Sequence, residues 1–275
     1  MRNMLNAAST MNQLQQRMDL TSNNLSNLNT YGYKSRQAQF SSLLFQQVNN
    51  MNGGDAESPR MTPEGIRVGS GARLAHTSMS LDPGTVQETG RPLDVAIQDE
   101  NRFFAINAPL ENGESETRFT RSGNFYIQPV NDNEVMLTTS DGTPAHGQNG
   151  PIILEGNFDD IELTEEGGVQ VTRGNETQVE ANLQVVDIEN TRVLEATGDN
   201  AFRINEADLE VPAEALVENI APQEANLQPS ALEQSNVDMA KEFTDLTEAQ
   251  RAYSFNSQSI SIGDQMMGLI GSMRS

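Results

Sequence analysis

The residues best suited to chemistry in this 275-residue sequence are few and scattered. The only histidines are His76 and His146, and there is no cysteine. Neither histidine has a histidine or carboxylate three or four residues away, the spacing that would place two metal ligands on one face of a helix. Without cysteine, a disulfide framework, a thiolate metal site and a cysteine nucleophile are excluded. The sequence therefore predicts no metal site and no cofactor.

Carboxylates are abundant, but their spacing does not indicate catalysis. Asp159–Asp160, Glu165–Glu166 and the polar run 131–134 lack the spaced ligands and glycine turn of a calcium loop. Phosphate-binding loops and the serine-hydrolase elbow are also missing. A glycosidase needs two carboxylates in a sugar-binding cleft, and a chain with no tryptophan and four tyrosines has few stacking surfaces for one. We predict no catalytic residues and no enzyme activity, with an extracellular hydrolase as a minor alternative.

The charge of the chain is strongly acidic and unevenly distributed. The net charge is −22, of which residues 1–36 carry +3 and residues 235–275 carry −2, so −23 remains for the middle. This balance argues against a nucleic-acid partner, since phosphate binding needs clustered Lys and Arg. No stretch approaches the roughly 20 apolar residues of a membrane span, and the N-terminus lacks the apolar core of a secretory signal. We expect a solvated acidic surface, no transmembrane segment and, if the protein leaves the cell, another export route.

Both chain ends show a helical pattern with apolar residues seven apart. Such a seam is typical of a helix that packs on another helix. The assembly seam predicted from these two patterns comprises Met4, Met11, Leu14, Met18, Leu25, Leu28, Met239, Phe243, Leu246, Tyr253, Ile260, Met267 and Ile270. Either seam alone would suit a core helix of an ordinary domain. Two seams at opposite ends of one chain favour mutual pairing, and weak helicity before assembly is expected because helix nucleation is costly.

Short β-strands broken by turn residues are predicted between the two helices. The predicted fold class is α+β: N- and C-terminal helices paired as a coiled-coil-like stalk, with an inserted irregular β-rich domain. The predicted segments are an N-terminal stalk helix (1–33), an extended connector (34–68), a β-rich outer domain (69–204), a return linker (205–234) and a C-terminal stalk helix (235–275). The low apolar content, 36%, suggests an elongated molecule or one that completes its burial against neighbours.

Two polar motifs accompany the seams. The run from Ser22 to Lys34 resembles the N-terminal signature of bacterial flagellar basal-body rod and hook proteins, and Ser235–Phe243 with Glu248–Tyr253 resembles the C-terminal signature of that family. Segments 45–47, 65–71, 93–97 and 118–125 resemble its distal-rod branch. The N-terminal motif residues are Asn23, Asn24, Leu25, Asn27, Asn29, Thr30, Gly32, Tyr33 and Lys34, and the C-terminal ones are Ser235, Asn236, Val237, Glu242, Gln250, Arg251, Ala252 and Tyr253.

The resemblance implies a subunit of a helical tube, with the terminal helices inside and the β-rich domain outside. It implies copies of the same chain, other rod and hook proteins and the flagellar type III export apparatus as partners, and the flagellar basal body, outside the cytoplasm, as the location. The function expected is a rigid, hollow shaft that transmits torque and passes exported subunits. A hook or proximal-rod component of the same family is the nearest alternative, and a coiled-coil surface adhesin is a more distant one.

Overall fold

The structure is a computed structural model that describes residues 2–42, 46–48, 66–68, 72–110, 115–188, 190, 193–205 and 216–274. An N-terminal helix, a β-rich middle and a C-terminal helix follow one another along the chain. The predicted α+β class and element order are thus confirmed, whereas the coiled-coil pairing of the helices stays a prediction. The chain divides into unit 1, Met1–Leu25, Arg36–Ser78 and Met239–Ser275, and unit 2, Ser26–Ser35 and Met79–Asp238.

Unit 1 contains both terminal helices. Helix α1 spans Arg2–Ser26, and helix α2 spans Met239–Arg274. At 1.5 Å per residue, α2 is about 54 Å long. Helix α1 ends earlier than the predicted boundary at residue 33, and Asn27 to Thr30 form a turn instead. The Ser/Asn-rich run explains the early end, because these side chains compete with the helix for backbone hydrogen bonds.

The described parts of the predicted connector are strands. They are β1 (Arg36–Ser42), β2 (Gln46–Val48) and β3 (Ile66–Val68), followed by β4 (Ala72–Met79). Strands β2 and β3 pair antiparallel, and β1 pairs with β4. The remainder of the connector lies outside the described residues.

Unit 2 holds the β-rich body, built from many short strands. They are β5 (Val86–Glu88), β6 (Val95–Ile97), β7 (Arg102–Pro109), β8 (Ser115–Thr120), β9 (Tyr126–Asn131), β10 (Glu134–Thr138), β11 (His146–Gly147), β12 (Gly150–Pro151), β13 (Ile153–Glu155), β14 (Asp160–Leu163), β15 (Gly168–Arg173), β16 (Glu176–Asn182), β17 (Val185–Asp187), β18 (Leu194–Gly198), β19 (Ala201–Ile204), β20 (Glu218–Asn219), β21 (Leu227–Pro229) and β22 (Ala231–Glu233).

The largest sheet of the body has six strands in the order β18-β19-β8-β7-β17-β20. The body also contains two three-stranded sheets, β13-β10-β9 and β14-β15-β16, and several two-stranded pairs. Phe103 and Phe104 are adjacent in β7 and therefore point to opposite faces. Phe104 packs edge-on against Phe125 in the main core cluster, and Phe103 packs against Phe202 in a second cluster. Strand β7 is thus covered on both faces.

The predicted return linker differs from the structure. Of residues 205–234, the described part from 216 onward contributes β20, β21 and β22, which pair with β17, β6 and β5. Leu227, Ala231 and Leu232 are buried. Strands of two or three residues are too short to show a period in the sequence, so burial by distant partners decides their structure.

Candidate functional site

The end of the N-terminal motif and the start of the C-terminal motif meet inside unit 2. The residues involved, Gly32, Lys34, Arg121, Glu233 and Asn236, are called the terminal clasp below. Lys34 and Glu233 form an ion pair with 2.7 Å between Nζ and Oε1, and their side chains are 0% and 1% exposed. Lys34 also donates to the carbonyl oxygens of Leu81 (3.2 Å) and Asp82 (2.9 Å). Buried charges that are paired and hydrogen-bonded in this way specify one arrangement of the chain.

Glu233 is the hub of the clasp, because both of its carboxylate oxygens are engaged. Oε1 accepts from Lys34 and, at 2.8 Å, from the backbone N–H of Gly84. Oε2 accepts from Nε of Arg121 at 2.9 Å and forms an ion pair with its Nη2, also at 2.9 Å. Nη1 of Arg121 reaches the carbonyl oxygens of Asp99 (2.6 Å), Glu100 (3.0 Å) and Arg102 (2.8 Å). One carboxylate therefore balances two buried cations.

The surroundings of Lys34 act on its pKa in opposite directions. Burial lowers the pKa of Lys34 below its ordinary 10.5, the charge of Arg121 lowers it further, and Glu233 opposes both. The ammonium form of Lys34 is therefore less stable in the folded body than in water. Glu233 limits that cost, since opposite charges in a low-dielectric interior attract strongly.

Gly32 shows why the N-terminal motif contains a glycine. Its φ is +66°, and a Cβ atom there would lie 2.5 Å from the carbonyl carbon of Arg121 and 2.7 Å from the nitrogen of Ser122. Its N–H donates to the carbonyl oxygen of Glu233 at 2.8 Å. Only glycine combines this backbone conformation with so close an approach to another backbone.

Asn236 binds backbone groups from two other parts of unit 2. Its Oδ1 accepts from the N–H of Ser35 at 2.7 Å, and its Nδ2 donates to the carbonyl oxygens of Ser80 (3.1 Å) and Asp82 (2.9 Å). A side-chain amide is suited to this position because it carries both a donor and an acceptor. Gly32 of the N-terminal motif and Asn236 of the C-terminal motif thus both bind backbone groups that are distant in the sequence.

A second cluster of motif residues lies in unit 1, where α1 contacts α2. Asn24 is buried, and its side chain makes both hydrogen bonds to the backbone of Arg36, donating to its carbonyl oxygen at 2.9 Å and accepting from its N–H at 3.0 Å. Its Nδ2 also lies 3.1 Å from Oε1 of Glu242. Nearby, Arg17 pairs with Asp245 at 2.9 Å. These contacts join the two helices and fix where the chain leaves α1.

Glu242 supplies a pH-dependent contribution to this helix contact. Partial burial raises the pKa of its carboxyl, the hydrogen bond from Asn24 opposes that, and Asp245 raises the pKa again. Between pH 4.5 and the raised pKa, the folded state binds more protons than the unfolded state, so this group makes stability fall as pH rises.

We expect Glu242→Gln to remove that pH-dependent contribution. The glutamine oxygen still accepts from Asn24, but no carboxylate has to be charged. The measurement is the thermal midpoint of the helical signal from pH 4.5 upward, compared between the wild type and the variant. The two midpoints should diverge in favour of the variant as pH rises, and parallel curves would contradict the assignment.

The remaining motif residues are less enclosed. Asn27 and Leu28 are half-buried, and the side chain of Asn27 accepts from the Thr30 hydroxyl at 3.1 Å. Asn23, Asn29, Gln250 and Arg251 are exposed, Tyr33 and Val237 are buried, and Leu25, Thr30, Ser235, Ala252 and Tyr253 lie between these extremes.

The predicted seam residues have graded exposure. Met11, Leu14, Met18, Leu25, Leu28, Leu246, Tyr253 and Ile260 are half-buried. Met239, Phe243, Met267 (45% exposed) and Ile270 (66%) are exposed. Only the backbone of Met4 is described. In the single chain, the seam is thus partly covered along α1 and between Leu246 and Ile260 of α2, and it is exposed at both ends of α2.

A second apolar stripe on α2 was missed by the sequence analysis. Phe255, Ile262, Met266, Leu269 and Met273 repeat at intervals of seven, four, three and four, and Phe255 and Met273 are 74% and 88% exposed. At about 100° per residue these five side chains project in one direction, distinct from that of Ile260 and Met267. This stripe lies outside the heptad register of the seam, so a single register does not reveal it. The apolar side chains near the end of α2 therefore span about half of its circumference.

Arg121 and Glu233 were also missed as functional residues. The available signal was a single charge inside an apolar strand, Ala231-Leu232-Glu233, since such a charge is buried only with a partner. Neither histidine joins a cluster: His76 is exposed in unit 1, and His146 lies in β11 of unit 2. Among the described residues, no group of three or more His, Cys, Asp or Glu side chains could hold a metal ion. No described helix is long and apolar enough to cross a membrane.

Comparison with known proteins matches the two chain ends to two families, both described as flagellar basal-body rod proteins. A family described as flagella basal body rod protein matches residues 4–34, and one described as flagellar basal body rod FlgEFG protein C-terminal matches residues 228–272. The first match includes Gly32 and Lys34 and the second includes Glu233 and Asn236, so four of the five residues of the terminal clasp lie in matched segments.

Similarity to whole proteins extends along the entire chain. The chain is 38% identical over 280 residues to the flagellar hook-basal body complex protein FlhP of Bacillus subtilis, covering 100% of each. It is 35% identical over 274 residues to the flagellar basal-body rod protein FlgG of Caulobacter vibrioides, covering 98% of each. FlgG of Borreliella burgdorferi is 32% identical, with 100% of this chain and 99% of that protein covered.

The chain belongs to the flagellar basal-body rod protein family, which confirms the resemblance seen in its terminal motifs. Within that family it is a structural rod subunit of the distal-rod type, and it is located in the flagellar basal body.

Proposed function

We propose that copies of this chain assemble through their terminal helices into a hollow helical tube that serves as the rigid distal part of the rod. The terminal helices form the inner layer and the β-rich body the outer layer. The tube transmits torque and leaves a channel for exported subunits. The partners are other copies, neighbouring rod and hook proteins and the flagellar type III export apparatus.

The exposed apolar surface of α2 is the observation that supports this proposal. Phe255, Leu269, Ile270 and Met273 are all at least 65% exposed. A surface of this size on a single helix favours association, because each large apolar side chain gains about 1.5–3 kcal/mol on full burial. The two stripes face different directions, so one partner helix would cover only one of them. Several neighbours, as in a tube, would cover both.

The polar part of the helix contact supports a fixed geometry. Asn24 binds the backbone of Arg36 on both sides and also contacts Glu242. Such a directional network allows fewer arrangements than apolar contacts alone. We infer that it holds α1 at a defined position on α2, so that each copy presents the same surface to its neighbours.

The experiment is a charge placed on the exposed seam. Ile270→Asp should abolish assembly and motility, because a carboxylate would have to be buried without a partner, while the fold of the monomer should persist since Ile270 is 66% exposed. The matched control is Ser261→Asp, which introduces the same charge nine residues away, half a turn around the helix.

Assembly is measured by electron microscopy of hook–basal bodies and by swimming. Short rods with Ile270→Asp and normal rods with Ser261→Asp are the expected results. Normal rods and swimming with Ile270→Asp would contradict the proposal. A surface adhesin predicts instead that attachment is lost while swimming persists.

A further inference from the structure

The terminal clasp joins positions that are far apart in sequence. Lys34 and Glu233 are separated by 199 residues, and Arg121 and Glu233 by 112. Lys34 precedes every strand of the body, and Glu233 ends the last one, β22. When the chain emerges with its N-terminus first, Lys34 and Arg121 therefore emerge long before Glu233, the carboxylate that balances their charge.

Without Glu233, the interior of the body would contain two uncompensated cations. The side chains of Lys34 and Arg121 are both 0% exposed in the folded body. Their other hydrogen-bond partners are the carbonyl oxygens of Leu81, Asp82, Asp99, Glu100, Arg102 and, at 3.5 Å, Ile97, which offer dipoles but no charge. The Asp82 carboxylate also favours the charged form of Lys34, but less than Glu233 does. Two buried cations that also repel one another are among the most costly arrangements in a protein interior.

The segment that brings the carboxylate also satisfies backbone groups from the start of unit 2. The N–H of Gly32 binds the Glu233 carbonyl, the N–H of Gly84 binds its carboxylate, and the N–H of Ser35 binds Asn236. In addition, β22 pairs with β5 along Val86–Glu88. Residues 231–236 are thus the common partner of three stretches of chain, around residues 32–35, 80–88 and 121.

We propose that residues 231–236 act as a folding latch: the β-rich body becomes stable only when this late segment docks and Glu233 neutralises Lys34 and Arg121. The latch makes folding of the whole body depend on the presence of nearly the whole chain. Its consequence for export, that the body stays unfolded until its last strand has passed through the apparatus, rests on the proposed function. The latch itself is a property of the isolated chain.

A latch for the whole body and a contact that holds only β22 differ in how many strands open when Glu233 is replaced. If Glu233 only holds β22 in place, its removal frees β22 and β5 and leaves the remaining sheets intact. If it is a latch, its removal opens the body as one unit, including β15, whose Val169 and Val171 lie in the main core and which shares no ladder with β22. Amide hydrogen exchange distinguishes the two, because it reports the free energy of opening strand by strand.

The test uses the full-length chain with Glu233→Gln, which retains the size of the side chain but removes its charge. The matched control is Glu88→Gln, an exposed carboxylate on β5, whose residue pairs with Ala231. We expect exchange in β15 and β7 to accelerate about a hundredfold or more with Glu233→Gln, by the same factor as in β5 and β22. The control should leave all four strands unchanged.

A double variant, Lys34→Met with Glu233→Gln, keeps the test decisive if the single variant does not fold. It leaves one buried positive charge instead of two and removes the repulsion between them. It should therefore recover part of the protection in β15, although Arg121 still lacks its carboxylate. Wild-type protection of β15 in Glu233→Gln, with faster exchange confined to β5 and β22, would overturn the latch. Because the readout is exchange in the purified chain, a failure of the latch would leave the rod function untouched, and a failure of rod assembly would leave the latch untouched.

Discussion

Replacing Gly32 with alanine is expected to destabilise the β-rich body by about 2–5 kcal/mol. An L-residue in the left-handed region costs roughly 1–2 kcal/mol, and forcing a methyl group into a packed interior adds about 1–3 kcal/mol. The atoms that the new Cβ would meet belong to the backbone of Arg121 and Ser122. Arg121 is held by Glu233 and by three carbonyl oxygens, so it cannot move aside without breaking the clasp.

Gly90 provides a matched control for this prediction. Its φ is +69°, nearly that of Gly32, yet a Cβ atom there would meet nothing within 4 Å. Gly90→Ala should therefore cost only the roughly 1–2 kcal/mol of the backbone conformation. Chemical unfolding of the two purified variants measures the difference. Equal losses would show that the close approach between Gly32 and Arg121 contributes nothing.

Features set by local sequence were predicted well. The β-rich middle followed from short apolar runs between turn residues, as at the strands Glu134–Thr138 and Ala201–Ile204. The existence of both terminal helices followed from the spacing of their apolar residues. The end of α1 did not, because the helix stops in the Ser/Asn-rich run, at Ser26. The family followed from the two terminal motifs, and comparison with known proteins confirms it.

Features set by distant partners were not predicted. Asn24, Gly32, Lys34 and Asn236 were recognised as motif residues, but the sequence gives no sign that Lys34 binds a carboxylate 199 residues away. The apolar neighbours of Glu233 indicate burial with a partner, but nothing in the sequence identifies Lys34 and Arg121 as the partners. Short strands such as β21 and β22 present the same difficulty, since their burial is supplied by β6 and β5.

The proposed assembly makes its strongest claim about the methionines near the end of α2. Met266, Met267 and Met273 are 58%, 45% and 88% exposed in the single chain, and they lie on both apolar stripes. If neighbouring subunits cover these stripes, the thioether sulfurs will be shielded from dilute peroxide in the rod but not in the free chain. Methionine oxidises readily to the sulfoxide where the reagent reaches it.

Methionine oxidation, read by mass spectrometry on the purified subunit and on isolated hook–basal bodies, is the most direct measurement of this burial. Met136, half-buried in the β-rich body, serves as the reference for reagent access. The expected result is rapid oxidation of Met267 and Met273 in the free chain and at least a tenfold slower reaction, relative to Met136, in the basal body, as about 1.4 kcal/mol of protection would give. Equal rates in the two preparations would contradict burial of these helices against neighbouring copies.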